Sequence, residues 1–478
     1  MTYDPASVHP LIDDVAEKQE LVETLYGGTV EMREAGNNYL PQEEGETATN
    51  YSNRLARSVL FPAYKNAVKA NTGKLYTKDV TVTKSTDLMD GFFLQVDEED
   101  NDLTEFSKNI TENAINNGCS YLLVDYPPLQ SSATLADERE AGGRPYWVNI
   151  KQSQVLEASP IRHRGRKKLG VFRFKEEIAF RVDRFYVKYI QQIKQFEFNE
   201  SGFVIFTTFQ KNQENKWIEV DSGILIDGFG KNFTEIPIIA VNLDPVGFYV
   251  GQPVFYDLAE ENKQHWQMSS DYNNIVHHSQ VPMLKITGLS ATFDEAGNRD
   301  NPVVISPNTV LDFGNENADA EWIEVSGQAS AVGEKALTSS IRRMAVMSLQ
   351  LLVNSDASAT ATASKIDALE SMSVLQSIGK KTEQAIDKAI NITYKYFGID
   401  NPGTLIELNL DDAIIFGNAN DIDSLIKMYD SNLLSQETIL KEFKRRGTLC
   451  DNMDVSLEIK NTARTGSPID EVDDITNM

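Results

Sequence analysis

The chain has 478 residues, too many for one hydrophobic core, and this length sets an expectation of roughly two to four domains. With 45 basic and 71 acidic side chains the formal net charge is −26, a balance that repels free nucleic acid and anionic membranes but leaves room for a channel past which DNA slides without sticking. Cys119 and Cys450 are the only cysteines, which excludes a disulfide framework; Met1 to Leu11 lacks the apolar stretch of a secretory leader, and no run approaches the ~20 apolar residues of a membrane span. The first predicted element is a helix from Pro10 to Leu25, with Leu11, Val15, Leu21, Val22 and Leu25 recurring at its turns. Tyr26-Gly27-Gly28-Thr29 ends it. A second helix is predicted from Thr49 to Thr72, kinked at Pro62. Val80 to Thr83 reads as a short strand. Leu103 to Asn116 is an amphipathic helix stopped by Asn117-Gly118, and it feeds a buried strand, Ser120 to Tyr126, closed by Pro127-Pro128.

Residues 145 to 242 are strand-rich. The predicted strands are Tyr146 to Ile150, Gly170 to Phe174, Arg181 to Ile193, Phe203 to Thr208, Trp217 to Val220 and Ile236 to Val241. Turn residues such as Asn199-Glu200-Ser201-Gly202 separate several of them, so antiparallel hairpins are expected. Nothing in this module has a catalytic pattern; it fits a sheet that makes interactions.

The block from Gln252 to Tyr396 is the most telling. It reads as helix, β-rich insert, helix, small-residue segment, long helix. The first helix, Pro253 to Ser279, carries only a thin apolar stripe: Val254, Leu258, Trp266, Tyr272 and Val276. A long helix that is polar nearly all round needs partners from other chains or a solvent-bridging role. Val281 to Ile286 and Val303 to Val310 read as strands, and Trp322 to Val325 closes the insert. A helix from Gln328 to Val353 begins with Ala329, Ala331, Gly333 and Ala336, small residues that allow close helix approach, and turns apolar at Leu337, Ile341, Met344 and Met347. A segment rich in Ser, Ala and Thr follows, then a helix from Lys365 to Tyr396 that Phe397-Gly398 stops. The last part holds a strand, Leu405 to Leu410, helices near Ala419 to Asp430 and Ser435 to Arg446, and an acidic tail expected to be disordered.

This order resembles the portal (head–tail connector) proteins of tailed bacteriophages, in particular a branch long catalogued as an uncharacterised phage family. Leu122-Leu123-Val124-Asp125-Tyr126-Pro127 is similar to that branch's buried strand, and Arg144-Pro145-Tyr146-Trp147 to the opening of its β-rich part. Glu235-Ile236-Pro237-Ile238 resembles the strand before its first long helix. Leu258-Ala259-Glu260-Glu261-Asn262 through Ser270-Asp271-Tyr272 to His277 and Pro282 resembles that helix and its exit. The resemblance implies an α+β portal-type subunit with a β-rich wing, two long antiparallel stem helices, an α/β clip, a long post-stem helix and a short helical crown. In this numbering the wing is 1–250, the stem helices 251–279 and 327–353, and the clip 280–326. The tunnel loop is 354–364, the long wing helix 365–404, the crown 405–460 and the tail 461–478. It also implies a ring, usually of twelve subunits, at one capsid vertex of a virion assembled in the host cytoplasm. The partners it implies are the terminase large subunit, a head–tail adaptor, the major capsid protein and double-stranded DNA passing without sequence readout. It implies no cofactor, no metal, no membrane and no enzymatic activity of the chain itself. Another ring-forming virion part, of adaptor or baseplate type, is the alternative, and a carbohydrate-active enzyme a further one.

Residue chemistry taken alone agrees with a non-catalytic reading. Acidic pairs such as Asp13-Asp14 and Asp411-Asp412 are what 71 acids produce without design, and nothing fixes two carboxylates across a cleft. His277-His278 cannot share a helix face, and there is no His-x-x-x-His or Cys-x-x-Cys spacing. Gly228-Phe229-Gly230-Lys231 is followed by Asn232, so it is a turn and not a phosphate loop. The basic run Arg162-His163-Arg164-Gly165-Arg166-Lys167-Lys168 reads as a solvated hairpin turn, with a nucleic-acid contact or an intersubunit salt-bridge patch left open. In the implied tunnel loop Ser355, Ser358, Thr360 and Thr362, with Lys365 just beyond, offer a small neutral lining for passing duplex or an ordinary helix connection. In the implied clip Asp312, Glu316, Asp319, Glu321 and Glu324 either face a partner or form a solvated loop.

Overall fold

The computed structural model describes residues 4–127, 143–279, 283–287, 319–323, 328–348, 361–408, 426–431, 433–445, 449 and 453–465. The fold is α+β, and every sheet is antiparallel. The chain opens with α1 (Pro10–Gly27), α2 (Thr29–Ala35), α3 (Ala48–Arg57), α4 (Ala63–Leu75), β1 (Thr81–Thr83), α5 (Asp87–Phe93), α6 (Leu103–Asn117) and β2 (Cys119–Asp125). The strand-rich stretch holds β3 (Tyr146–Lys151), β4 (Val155–His163), β5 (Arg166–Arg181), β6 (Val187–Phe198), β7 (Val204–Lys211), β8 (Trp217–Ile224), β9 (Ile238–Asn242), β10 (Pro245–Gly247) and β11 (Val250–Gly251). Then come α7 (Tyr256–Ser279), β12 (Met283–Thr287), β13 (Asp319–Ile323), α8 (Gln328–Met347), α9 (Ala361–Phe397), β14 (Leu405–Glu407), α10 (Gln436–Arg445) and α11 (Val455–Thr465). Contacts divide the chain into two compact units: Met1–Glu23 with Lys65–Tyr256 and Ser348–Met478, and Thr24–Tyr64 with Asp257–Met347.

The first unit is built on two sheets. β2 is the centre of a three-stranded sheet, β3-β2-β9, and every one of its residues is buried, including Ser120 and Asp125, which are hydrogen-bonded to Asn149 and Lys194. α6 and α9 pack against this sheet. α6 starts where the Asp102 carboxylate accepts the Glu105 N–H at 2.8 Å, and it ends at Gly118 in the left-handed region, φ 84°. Only glycine serves there for a second reason: a Cβ would sit 2.0 Å from the Gln252 carbonyl oxygen. Trp147 on β3 is buried, with Phe92 and Phe106 edge-on to it and its indole N–H donating to the Thr393 hydroxyl at 2.8 Å. β14 pairs with β1, so the strand expected to open a separate crown belongs to this unit.

The second sheet is a five-stranded meander, β4-β5-β6-β7-β8. The basic run forms its first turn: Arg162 pairs with Lys167 and His163 with Arg166, while Arg164 and Gly165 have φ of 49° and 77°. Positive φ at both central residues matches the twist of the flanking strands. The expected single strand from Arg181 to Ile193 is instead the end of β5, a turn, and the start of β6. No glycine marks that turn. Asp183 makes it, its carboxylate accepting the N–H groups of Phe185 and Tyr186 at 2.7 and 2.9 Å.

Three further boundaries differ from the sequence reading. Pro62 does not kink one helix; it lies between two, α3 and α4, because Ser58 is already extended and Pro62 has no N–H to continue a ladder. Pro253 is not the first residue of α7, which starts at Tyr256. α9 begins at Ala361 and not at Lys365, so residues 361–364 of the expected tunnel loop are helical, as their alanines favour. The helix α11 was not anticipated; its start is capped by Asp454, which accepts from the Ser456 and Leu457 N–H groups at 2.9 and 3.2 Å.

Candidate functional site: an antiparallel helix pair with a two-stranded insert

The second unit contains α7, the β12–β13 ribbon, α8 and, from the N-terminal part of the chain, residues 24–64. Those N-terminal residues fall in the stretch that the sequence reading gave to the wing. The two long helices run antiparallel. Glu261 on α7 meets Ser340 and Arg343 on α8, whereas Tyr272, further along α7, meets Gly333, further back on α8. At the second contact a Cβ on residue 333 would lie 2.8 Å from the Tyr272 ring, so glycine is what admits the ring. This is the close approach expected of the small residues of α8, realised at Gly333, whereas Ala331 and Ala336 are exposed.

The Glu261 carboxylate accepts from the Ser340 hydroxyl at 2.6 Å and from two nitrogens of Arg343, at 2.6 and 3.1 Å. The Arg343 hydrogen bond holds the Glu261 carboxyl below the usual carboxylate range. One turn on, His265 is buried beside the Phe61 ring, centroids 5.5 Å apart, and burial pushes its imidazole below its ordinary value while Glu261 pulls the other way.

The polarity of α7 has an answer inside its own unit. Asn262 is fully buried; its amide donates to the Phe61 carbonyl and accepts from the Tyr64 N–H, both at 3.0 Å. Ser270 accepts from the Ser58 hydroxyl at 2.8 Å, and Gln267 donates to the Tyr39 carbonyl at 2.8 Å. Arg54, 3 % exposed, is gripped by Glu46 at 2.8 Å, by the Pro41 carbonyl at 2.8 Å and by Asp271 at 3.4 Å. Its hydrogen bond holds the Glu46 carboxyl below the usual range. The expectation that the polar face of α7 needs another chain is therefore corrected: residues 39–64 supply backbone and side-chain partners for much of it. The sequence carried no sign of this, because Asn262 and Phe61 lie about two hundred positions apart and neither stands in a motif.

The unpartnered face lies on α8. Among its described side chains only Ser340 and Met344 are buried. Val332 is 70 % exposed and Val346 78 %, and with Ala336 and Met347 they recur at helical spacing along one face. In the insert, β12 pairs with β13 from Met283↔Ile323 to Thr287↔Asp319. Of the acids proposed for a partner, Glu321 is exposed and paired to Lys285 at 2.6 Å, and Asp319 is exposed at the end of the ribbon. Asp312, Glu316 and Glu324 lie outside the described residues, as do Ser355, Ser358 and Thr360 of the implied tunnel loop. Thr362 and Lys365 lie on the first turns of α9. Among the described residues no group of three or more His, Cys, Asp or Glu could hold a metal ion, and no helix is long and apolar enough to cross a membrane.

A family model described as a domain of unknown function (DUF4055) matches residues 254–397, from just before α7 to the last residue of α9. No curated protein matches the chain. Among solved structures, a chain of the virion of a native gene transfer agent particle is 12 % identical, with 80 % of this chain and 88 % of that chain covered and a TM-score of 0.41. A chain from the neck of an empty gene transfer agent particle, computed with C6 symmetry, is 12 % identical, with 81 % and 90 % covered and a TM-score of 0.42.

Proposed function

We propose that the chain is the subunit of a portal: a ring at one capsid vertex through which DNA enters and leaves a tailed-phage-type virion. The observation that carries this reading is the apolar face of α8. Val332, Ala336, Val346 and Met347 stand in water on one face of α8, beside Gly333 and Ser340, which meet α7, and around Arg343, whose guanidinium reaches across to Glu261. Each exposed valine, once covered, contributes roughly 1.5 kcal/mol or more, and a row of them repeated in every subunit favours closed assembly. The α7–α8 pair and its ribbon then stand as stem and clip, in the order that the sequence resemblance implies. The tunnel loop then falls to the segment between α8 and α9, in the order that the resemblance implies.

In this reading the chain does no chemistry. A terminase docked at the clip drives DNA, the head–tail adaptor replaces it after filling, and the major capsid protein surrounds the ring. The net charge of −26 suits such a passage, since a wall that repels phosphate does not hold the duplex. Purified protein is expected to form annular particles, with twelve-fold class averages in electron microscopy. Val332→Asp combined with Val346→Asp is expected to leave a folded monomer. Wild-type protein that stays monomeric at micromolar concentration in light scattering would overturn the reading.

A further inference from the structure

β5 and β6 run past their neighbours. β4 pairs with β5 only up to Phe174, and β7 pairs with β6 only from Gln192, so residues 175–191 form a two-stranded arm that pairs with no third strand among the described residues. Every residue from Ala179 to Tyr189 is exposed. Among them Phe185 is 89 % exposed, Tyr189 68 % and Phe180 54 %. An isolated two-stranded ribbon is marginal in water, and one ending in bare aromatic rings is a surface made for a partner.

The same chain carries a surface of matching character. β8 is an edge strand of the meander, and Ile218, Val220 and Ile224 on it are 44–46 % exposed. Charge matches as well. The arm bears Arg181, Arg184 and Lys188 against the single acid Asp183 near its tip, whereas β8 bears Glu219 and Asp221, both exposed. Among the described residues none of these three cations and neither β8 acid has an ion-pair partner.

We infer that the arm of one copy docks along β8 of the next copy, aromatic tip on exposed aliphatics and arm cations on Glu219 and Asp221. This rests on the ring reading and names one of its interfaces. The arm cannot reach its own β8. Ile193 lies two strands from the β8 bulge at Val220, and Phe185 is eight residues further out, roughly 25 Å away along the strand. Donor and acceptor are different surfaces of one subunit, so the contact is head-to-tail and propagates round a ring instead of ending at a dimer. Opposite charge on the two surfaces sets the register and disfavours arm-to-arm pairing.

The test uses the full chain with Phe185→Cys and Val220→Cys together, oxidised after assembly. The expected result is a ladder of covalent multimers beyond the dimer, absent with either single substitution, because a disulfide needs Cβ atoms ~4 Å apart. A second measurement avoids substitution. Trypsin cleavage at Arg181, Arg184 and Lys188 is expected to slow about tenfold or more in assembled particles relative to dissociated subunits. Arg184→Glu with Lys188→Glu should abolish assembly, and mixing with a Glu219→Lys, Asp221→Lys chain should restore mixed particles. Intact rings without the ladder and with an equally cleavable arm would overturn the arm contact and leave the ring reading standing. Wild-type protein that is monomeric overturns both.

Discussion

Around Trp147 the strand-rich unit buries aromatic rings edge to edge, whereas around Asn262 the helix-pair unit buries amide, hydroxyl and guanidinium groups bonded to backbone and carboxylate. The first arrangement is stabilised by apolar area and tolerates no gap. The second is stabilised by satisfied polar pairs, which contribute little net energy while intact and cost more when one partner is removed. The same unit leaves valines exposed on α8. In that unit the polar pairs sit beside buried Leu40, Trp266 and Met344, while the strand-rich unit centres on aromatic packing and extends one two-stranded arm.

The largest expected effect breaks the aromatic side of this contrast. Trp147→Ala should cost about 3–5 kcal/mol in denaturant unfolding, since it empties a site lined by Phe92 and Phe106 and leaves the Thr393 hydroxyl without its donor. A loss below about 1 kcal/mol would mean that these rings repack freely. On the polar side, Asn262→Leu keeps the branched outline but strands the Tyr64 N–H, at about 1–3 kcal/mol, while the Phe61 carbonyl retains the Ala63 N–H. Amide exchange over residues 58–64 should accelerate while exchange in β2 stays unchanged; acceleration in both would erase the distinction between the units.

A smaller effect sharpens the contrast through pH. His265 titrates below its ordinary value because it is buried, so its neutral form is favoured by folding. Stability is therefore full above about pH 6.5, the unfolded imidazole value, and falls as pH drops through the folded one. Glu261 acts in the same direction at lower pH: its carboxyl is held down by Arg343, and the stability it contributes is lost as pH falls through that lowered value. His265→Gln should flatten the upper limb of the unfolding curve and leave the acid limb. Glu261→Gln should remove the acid limb at a cost within ~1 kcal/mol, since Arg343 is half exposed. The smallest effect on stability comes from Val346→Lys, within about 0.5 kcal/mol for the monomer. Its expected consequence is loss of assembly, read by sedimentation; undiminished assembly would show that this face of α8 is not an interface.

Much of the scaffold was legible in the residues. Helical spacing marked α1, α6, α7 and α9 to within a few positions, and the apolar run Tyr121 to Val124 marked β2 as a buried strand. The hairpin at Arg164-Gly165 followed from its glycine. The turn at Asp183 did not, because an aspartate folding back on its own backbone leaves no compositional mark between two strands of similar residues. The candidate site divided in the same way. The helix–insert–helix order could be read directly, but Glu261 with Arg343, and Arg54 with Glu46, are ordinary charges until the fold brings them together.

By itself the sequence determined the element types, the acidic balance and the order that resembles a portal, because periodicity and charge are local properties of the chain. Only the tertiary structure decided that the polar face of α7 is met by residues 39–64, that α8 is the helix left with bare valines, and that β5 and β6 outrun their sheet as an arm. Those outcomes depend on which distant segments pack together, and burial is a property of that packing, which no single stretch of residues encodes.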